Sequence, residues 1–222
     1  MNTVCDMKKN NMIIYVHGKG GSAEESKHYE TLFHDNKVIG FDYQSKTPWE
    51  AKEEFSQFFS EQRKHNDSIT LIANSIGAFF SMSSLDECFV DEAYFISPIV
   101  DMEKLICNMM VWANISEQEL SKRQEIATDF GETLSWQYLC YVREHPISWH
   151  IPTHILYGEH DNLTSFETVS TFAKRTGASL TMMPNGEHWF HTKEQMQFLD
   201  DWISQLSNDN PTHRAQCGLN PT

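Results

Sequence analysis

The sequence predicts an α/β fold: a mostly parallel, doubly wound sheet of about six strands with helices on both faces. Three observations carry the prediction. Short runs rich in β-branched and aromatic residues recur along the chain, segments of helical spacing fill the intervals, and glycine- or serine-marked turns stand where one would give way to the other. Right-handed crossovers leave few other arrangements for such alternation.

In chain order, "MIIYV" (12–16) reads as a buried strand that runs into the glycine-rich turn "HGKGGS", with a helix expected over about 24–34. "KVIGFDY" is the next strand. "TPWE" (47–50) then supplies Thr47 as N-cap, proline at the first helical position and Glu50 three after the cap, so a helix should run to about Lys64 with Phe55, Phe58 and Phe59 on one face. "SITLIAN" is strand and "IGAFFSMSSL" helix. "EAYFISP" (92–98), "THILYG" (153–158) and "SLTMMP" (179–184) continue the strands, and 165–176 and 190–206 carry helical spacing. From Asp101 to about His150 no strand is expected. "SEQE" (116–119) reads there as a second capping box, so this interval is predicted to be a helical insertion. The whole is one domain over 1–206 with a cap at about 101–150, followed by a flexible polar tail at 207–222.

Composition narrows the function. At 222 residues and 25.8 kDa, with 40% hydrophobic and 22% charged residues, the chain can close around one sizeable core. A formal charge of −14 without clustered Lys and Arg argues against nucleic acid and against stable association with anionic membranes. Five cysteines, odd in number, scattered and without a CxxC pair, suggest neither a disulfide framework nor a thiolate zinc site. With no apolar run long enough for a signal peptide or a span of ~20 residues, a cytoplasmic protein is expected.

The first turn supports two readings. Gly18-Lys19-Gly20-Gly21-Ser22-Ala23 matches G-x-G-x-x-A between a strand and a helix, with Asp42 at the end of the next strand, as in a dinucleotide site. Alternatively, backbone N–H groups of such a loop can face a substrate oxygen that gains negative charge during acyl transfer. A Walker loop is excluded, because Gly20 follows the lysine where Ser or Thr is required and Ile13 stands at the first glycine position.

Ser75 sits at a strand-to-helix junction in "LIANSIGAFF", with Ala73 and Gly77 two residues to either side. A sharp turn there forces the serine into a strained conformation, and small neighbours let strand and helix approach closely. Its hydroxyl would stand at a helix N-terminus, beside the N–H of Ile76.

Here the chain resembles the α/β-hydrolase family, whose nucleophile elbow G-x-S-x-G appears as Ala73-Asn74-Ser75-Ile76-Gly77. The family's chain order of serine, acid and histidine is matched by Ser75, by Asp161 in "HILYGEHDNLTS" and by His188 in "LTMMPNGEHWFH". The resemblance spans 12–206 and is nearest the small-capped esterases, monoglyceride lipases and serine aminopeptidases. It implies a sheet lacking the two usual first edge strands. It also implies that Ser75 attacks an acyl carbon, that His188 carries the proton and that Asp161 orients His188. The N–H groups of Lys19 and Ile76 would form the oxyanion hole.

Competing assignments remain for several positions. Asp101, after "EAYFISPIV", is an alternative acid; His160 and His191 are alternative histidines, with His191 expected about a turn into the last helix. Glu159 and Glu187 read as solvated, and Lys19 is expected to meet an anionic substrate group or to pair with Glu24 or Glu187. A metal site from His188 and His191 lacks a catalytic glutamate, and one from His150 and His154 straddles Pro152. Met109, Trp112 and Trp136 in the insertion, with Trp189, are candidates to line an acyl pocket, although their spacing equally fits plain packing. The expected activity is that of a serine hydrolase without a cofactor, cleaving an ester or thioester of a small or medium acyl group. An NAD(P)-dependent oxidoreductase and a noncatalytic binding protein on a hydrolase scaffold are the alternatives.

Overall fold

A computed structural model describes residues 10–209. Strand β1 (Asn11–Val16) leads through the glycine-rich turn and a 3₁₀ turn (Ala23–Glu25) into α1 (Ser26–Glu30), then β2 (Lys37–Phe41), α2 (Pro48–Arg63), β3 (Ser68–Asn74), α3 (Ile76–Ser84) and β4 (Glu92–Ile96). The insertion holds α4 (Met102–Trp112), α5 (Glu117–Arg123), β5 (Glu125–Ala127), β6 (Thr133–Ser135) and α6 (Trp136–Glu144). After it come β7 (Thr153–Gly158), α7 (Phe166–Thr176), β8 (Ser179–Met183) and α8 (Lys193–Asp209).

The main sheet has six strands in the order β2-β1-β3-β4-β7-β8, every neighbouring pair parallel. The chain leaves β1 toward β2 and returns to its other side as β3, so the switch in strand order lies between β1 and β3. In such sheets the crevice at the carboxyl ends of those strands is where ligands bind. The turn after β1 and Ser75 after β3 are the two segments that border it.

The four central strands, β1, β3, β4 and β7, are buried on both faces, which is why they read as continuous apolar runs rather than alternating ones. Met12, Ile14 and Val16 face one core, shared with α2, α3, α7 and the insertion; Ile13 and Tyr15 face the other, closed by Tyr29 of α1 and by Leu199, Trp202 and Ile203 of α8. On α2, Ala51, Phe55 and Phe59 form a fully buried stripe at fourfold spacing, and each such Phe contributes about 1.5–3 kcal/mol by leaving water. Phe58 stacks on Phe41 with ring centroids 3.9 Å apart. The reciprocal capping box of Thr47 and Glu50 starts this helix as expected.

Four expectations change in detail. The helix after β1 is only five residues long and follows a 3₁₀ turn, because the chain must turn back to β2 within a few residues. The insertion is not purely helical: β5 and β6 form an antiparallel hairpin, with Thr128 bonded to Glu132 across its turn and Gly131 at φ 85°. Three-residue strands are too short to display the period-2 pattern by which strands are recognised. At Ser116 only half of the box forms: its side chain accepts the Glu119 N–H. Finally, α8 begins at Lys193 and continues to Asp209, beyond the expected start of the tail, while 210–222 lie outside the described residues.

The insertion shares the larger core rather than building its own. Met102, Ile106 and Met110 of α4, Ile126, Leu134 and Leu139 all join it. Arg143 of α6 holds Glu103 of α4 at 2.7 Å and Glu117 of α5 at 2.7 and 3.0 Å, tying the three helices together.

Candidate active site

Ser75 has φ 49° and ψ −116°, outside the regions an L-residue ordinarily occupies. Neighbouring chain holds it there: its N–H donates to the carbonyl of Ile96 (3.0 Å), and its own carbonyl accepts the N–H of Ile99 (3.2 Å). Such a backbone costs of order 1–3 kcal/mol and persists only where the surroundings over-determine it. Gly77 is required by close approach. A Cβ there would lie 2.4 Å from the His17 carbonyl oxygen, and one at Gly18 would lie 3.3 Å from the Cβ of Ser75. The turn after β1 therefore rests directly on the elbow. Ala73, in place of the first glycine, is fully buried within β3.

The hydroxyl of Ser75 lies 2.8 Å from Nε2 of His188, and Nδ1 of His188 lies 2.7 Å from Oδ2 of Asp161. The Asp161 side chain is fully buried, while that of His188 keeps 15% of its surface exposed. The second Asp161 oxygen accepts the N–H groups of Leu163 (2.8 Å) and Thr164 (3.0 Å), so both oxygens are occupied and the carboxylate cannot swing away. Two loops bring these groups together. His160 N–H donates to Gly186 (2.7 Å), Glu159 N–H donates to Met183 (3.1 Å), and a Cβ on Gly158 would lie 2.4 Å from the Glu187 carbonyl oxygen. Glu159, read as merely solvated, also accepts the Asn185 N–H at 2.9 Å, next to the histidine loop.

The turn from Gly18 to Gly21 is closed by Gly21 N–H to Gly18 O at 3.2 Å. Gly20 has φ 77° while Lys19 keeps a negative φ, the pattern of a type II turn. Among the described residues the Lys19 N–H has no acceptor. Ile76 is the first residue of α3, and first-turn N–H groups have no partner within their own helix. Two free donors thus flank the switch point beside Ser75. The Lys19 side chain pairs with neither Glu24 nor Glu187 but with Glu132 in the turn of the β5–β6 hairpin, joining the glycine-rich turn to the insertion; Lys27 takes Glu24 instead.

His17, just before this turn, stacks on Tyr43 (centroids 4.3 Å apart) and donates from Nδ1 to the Gly18 carbonyl at 2.8 Å. Nε2 of His17 and the Tyr138 hydroxyl are buried without partners among the described residues. Burial pushes the phenols of Tyr43 and Tyr138 well above their usual range, so both remain neutral donors. Nothing in their spacing marks His17 and Tyr43 as neighbours, since one follows β1 and the other β2, and only the pairing of those strands brings them together.

The competing candidates lie elsewhere in the hydrogen-bond pattern. Asp101 caps α4 by accepting the Lys104 N–H at 2.9 Å. His191 precedes α8 instead of lying within it, and its ring stacks on Trp189 at 4.4 Å. His150 is bonded to Ser148 and His154 to Ser179. Asp42 is an exposed residue at the end of β2. Of the pocket candidates, Met109 and Trp136 are half-buried against the main core, Trp112 is exposed beside Phe130, and Trp189 is 71% exposed. No helix among the described residues is long and apolar enough to cross a membrane.

The chain has the α/β-hydrolase fold. It is similar to Est1E from Butyrivibrio proteoclasticus (15% identity, TM-score 0.69, covering 92% of this chain and 89% of that one), which also occurs with ferulic acid bound. It resembles mouse alpha/beta hydrolase domain-containing protein 10 (14% identity, TM-score 0.70, covering 89% of each chain). A lipase-esterase related protein from Clostridium acetobutylicum is similar over 89% of this chain and 95% of its own (20% identity, TM-score 0.59). No protein-family model and no curated protein matches the sequence.

Proposed function

We propose that the protein is a serine hydrolase that cleaves a small-molecule carboxylic ester or thioester of small or medium acyl group through an acyl-enzyme. The observation that carries the reading is the hydrogen-bonded row from Ser75 through His188 to Asp161, set at a strained elbow beside two free N–H donors. In this scheme Nε2 of His188 takes the Ser75 proton as Oγ attacks the acyl carbon. The tetrahedral oxygen is held by the N–H groups of Lys19 and Ile76, and the proton passes to the leaving alkoxide or thiolate. Water, deprotonated by His188, then attacks the acyl-Ser75 and releases the acid. Asp161 keeps Nδ1 protonated and Nε2 free to accept. The lipase-esterase related protein among the neighbours agrees with this chemistry, and the scattered cysteines suit a reducing, cytoplasmic setting.

The dinucleotide reading is weakened by what stands at the glycine-rich turn. A Cβ on Gly21 would lie 2.8 Å from a carboxylate oxygen of Glu25, so a pyrophosphate approaching Gly21 would meet a negative charge. The helix that follows has only five residues, too few to offer a strong N-terminal dipole.

Labelling with a fluorophosphonate, followed by mapping of the modified residue and a panel of p-nitrophenyl esters from acetate to octanoate plus a hydroxycinnamate ester, tests the proposal. Modification at Ser75 with turnover of at least one ester is the expected result. Absence of labelling together with absence of turnover overturns it.

A further inference from the structure

The glycine-rich turn and the elbow, which carry the two free N–H donors, are joined by a second connection away from the reacting atoms. The Asn74 side-chain amide, one residue before Ser75, donates to the Tyr15 hydroxyl at 2.9 Å, and that hydroxyl in turn donates to the Glu25 carboxylate. Glu25 ends the 3₁₀ turn that follows the glycine-rich turn, and its carboxylate lies against Gly21. Tyr15 belongs to β1, between the two segments, and is 1% exposed.

We propose that Tyr15 is a positioning residue that sets the distance between the Lys19 and Ile76 donors through the Asn74–Tyr15–Glu25 bridge. The inference rests on the hydrolase reading of those donors. Burial raises the Tyr15 phenol far above its usual range, so it keeps its proton and donates it to Glu25. Its oxygen is then left to accept from Asn74, which fixes the sense of both bonds. A neutral hydroxyl bonded to a carboxylate is charge-assisted and stronger than an ordinary pair. A fully buried ring has few alternative rotamers, so the bridge has a defined length. An oxyanion hole works only if its donors are in place before the charge develops, and a displacement of about 1 Å there costs on the order of 100-fold in rate.

Tyr15→Phe removes both hydrogen bonds while keeping the ring that packs on Tyr29 at 5.1 Å. With p-nitrophenyl butyrate we expect kcat to fall roughly ten- to hundred-fold with KM nearly unchanged, and affinity for a trifluoromethyl ketone, whose adduct carries the oxyanion, to fall in proportion. Hydrogen exchange of the amides in 17–25 should quicken. Glu25→Ala should behave as Tyr15→Phe does, and Glu25→Gln, which still offers an oxygen acceptor, should recover most of the activity. Lowered thermal stability with kcat and ketone affinity as in the wild type makes Tyr15 a merely structural residue and overturns the proposal, as does unaltered exchange in 17–25. If the wild-type protein neither takes up the fluorophosphonate nor turns over an ester, the hydrolase reading fails separately, and exchange in 17–25 still decides whether the bridge holds the turn.

Discussion

Asp161 and His188, 27 residues apart in the chain, meet across a 2.7 Å hydrogen bond inside a pocket of backbone donors that occupies the other carboxylate oxygen. Asp101, the rival acid, instead spends its side chain on the first turn of α4. This division of labour between two aspartates makes their substitutions separable.

Asp161→Asn should lower kcat by about 10⁴-fold, because an amide beside Nδ1 favours the tautomer in which Nε2 can no longer accept the serine proton. Asp101→Ala should leave kcat within a few-fold and cost about 1 kcal/mol of stability through loss of the cap. Steady-state kinetics and thermal melts of the two variants check both, and the reverse ranking moves the acid to the β4 end.

The strain at Ser75 has its own test. Ser75→Ala and Ser75→Gly should both lose ester hydrolysis and fluorophosphonate labelling, yet the glycine variant should be the more stable by about 1 kcal/mol. Both lack the hydroxyl, but only alanine keeps a Cβ at φ 49°. Urea titrations compare them; equal or reversed stabilities place little strain at the elbow.

At Lys19 one substitution deletes the backbone N–H along with the Glu132 ion pair, and another deletes the ion pair alone. Proline suits the second position of a type II turn, so Lys19→Pro should fold while losing the donor, with kcat reduced by about 10²- to 10³-fold. Lys19→Ala keeps the N–H and gives up only the exposed pair with Glu132, so its activity should stay within a few-fold. Measuring both against p-nitrophenyl butyrate separates a backbone role from a side-chain role.

Close packing at the elbow predicts that Gly77→Ala is poorly tolerated. Its Cβ would stand 2.4 Å from the His17 carbonyl, so the turn after β1 must move, at a cost of about 1–3 kcal/mol and with most activity lost. A melt together with kcat measures this, and a neutral substitution shows that the turn is free to shift.

The strands, the Thr47 cap and the elbow were legible in the sequence because each rests on local chemistry: apolar runs buried on both faces, side-chain oxygens at helix starts, and small residues where chain segments touch. The order Ser75, Asp161, His188 could be read as well, since each follows a strand of a sheet whose strand ends gather at one edge. What depended on length below the reach of periodicity, such as the β5–β6 hairpin, was not legible.

By itself the amino-acid order determined a parallel sheet, a serine at a strand-to-helix turn and three candidate side chains. Only the tertiary structure decided that Asp161 rather than Asp101 faces His188, that Lys19 reaches across to Glu132, and that Tyr15 joins Asn74 to Glu25. Those relationships are set by strand order and by loops meeting at the sheet's carboxyl edge. Residues brought together by crossovers leave no mark in local spacing, so the pattern that names the elements is silent on which side chains will touch.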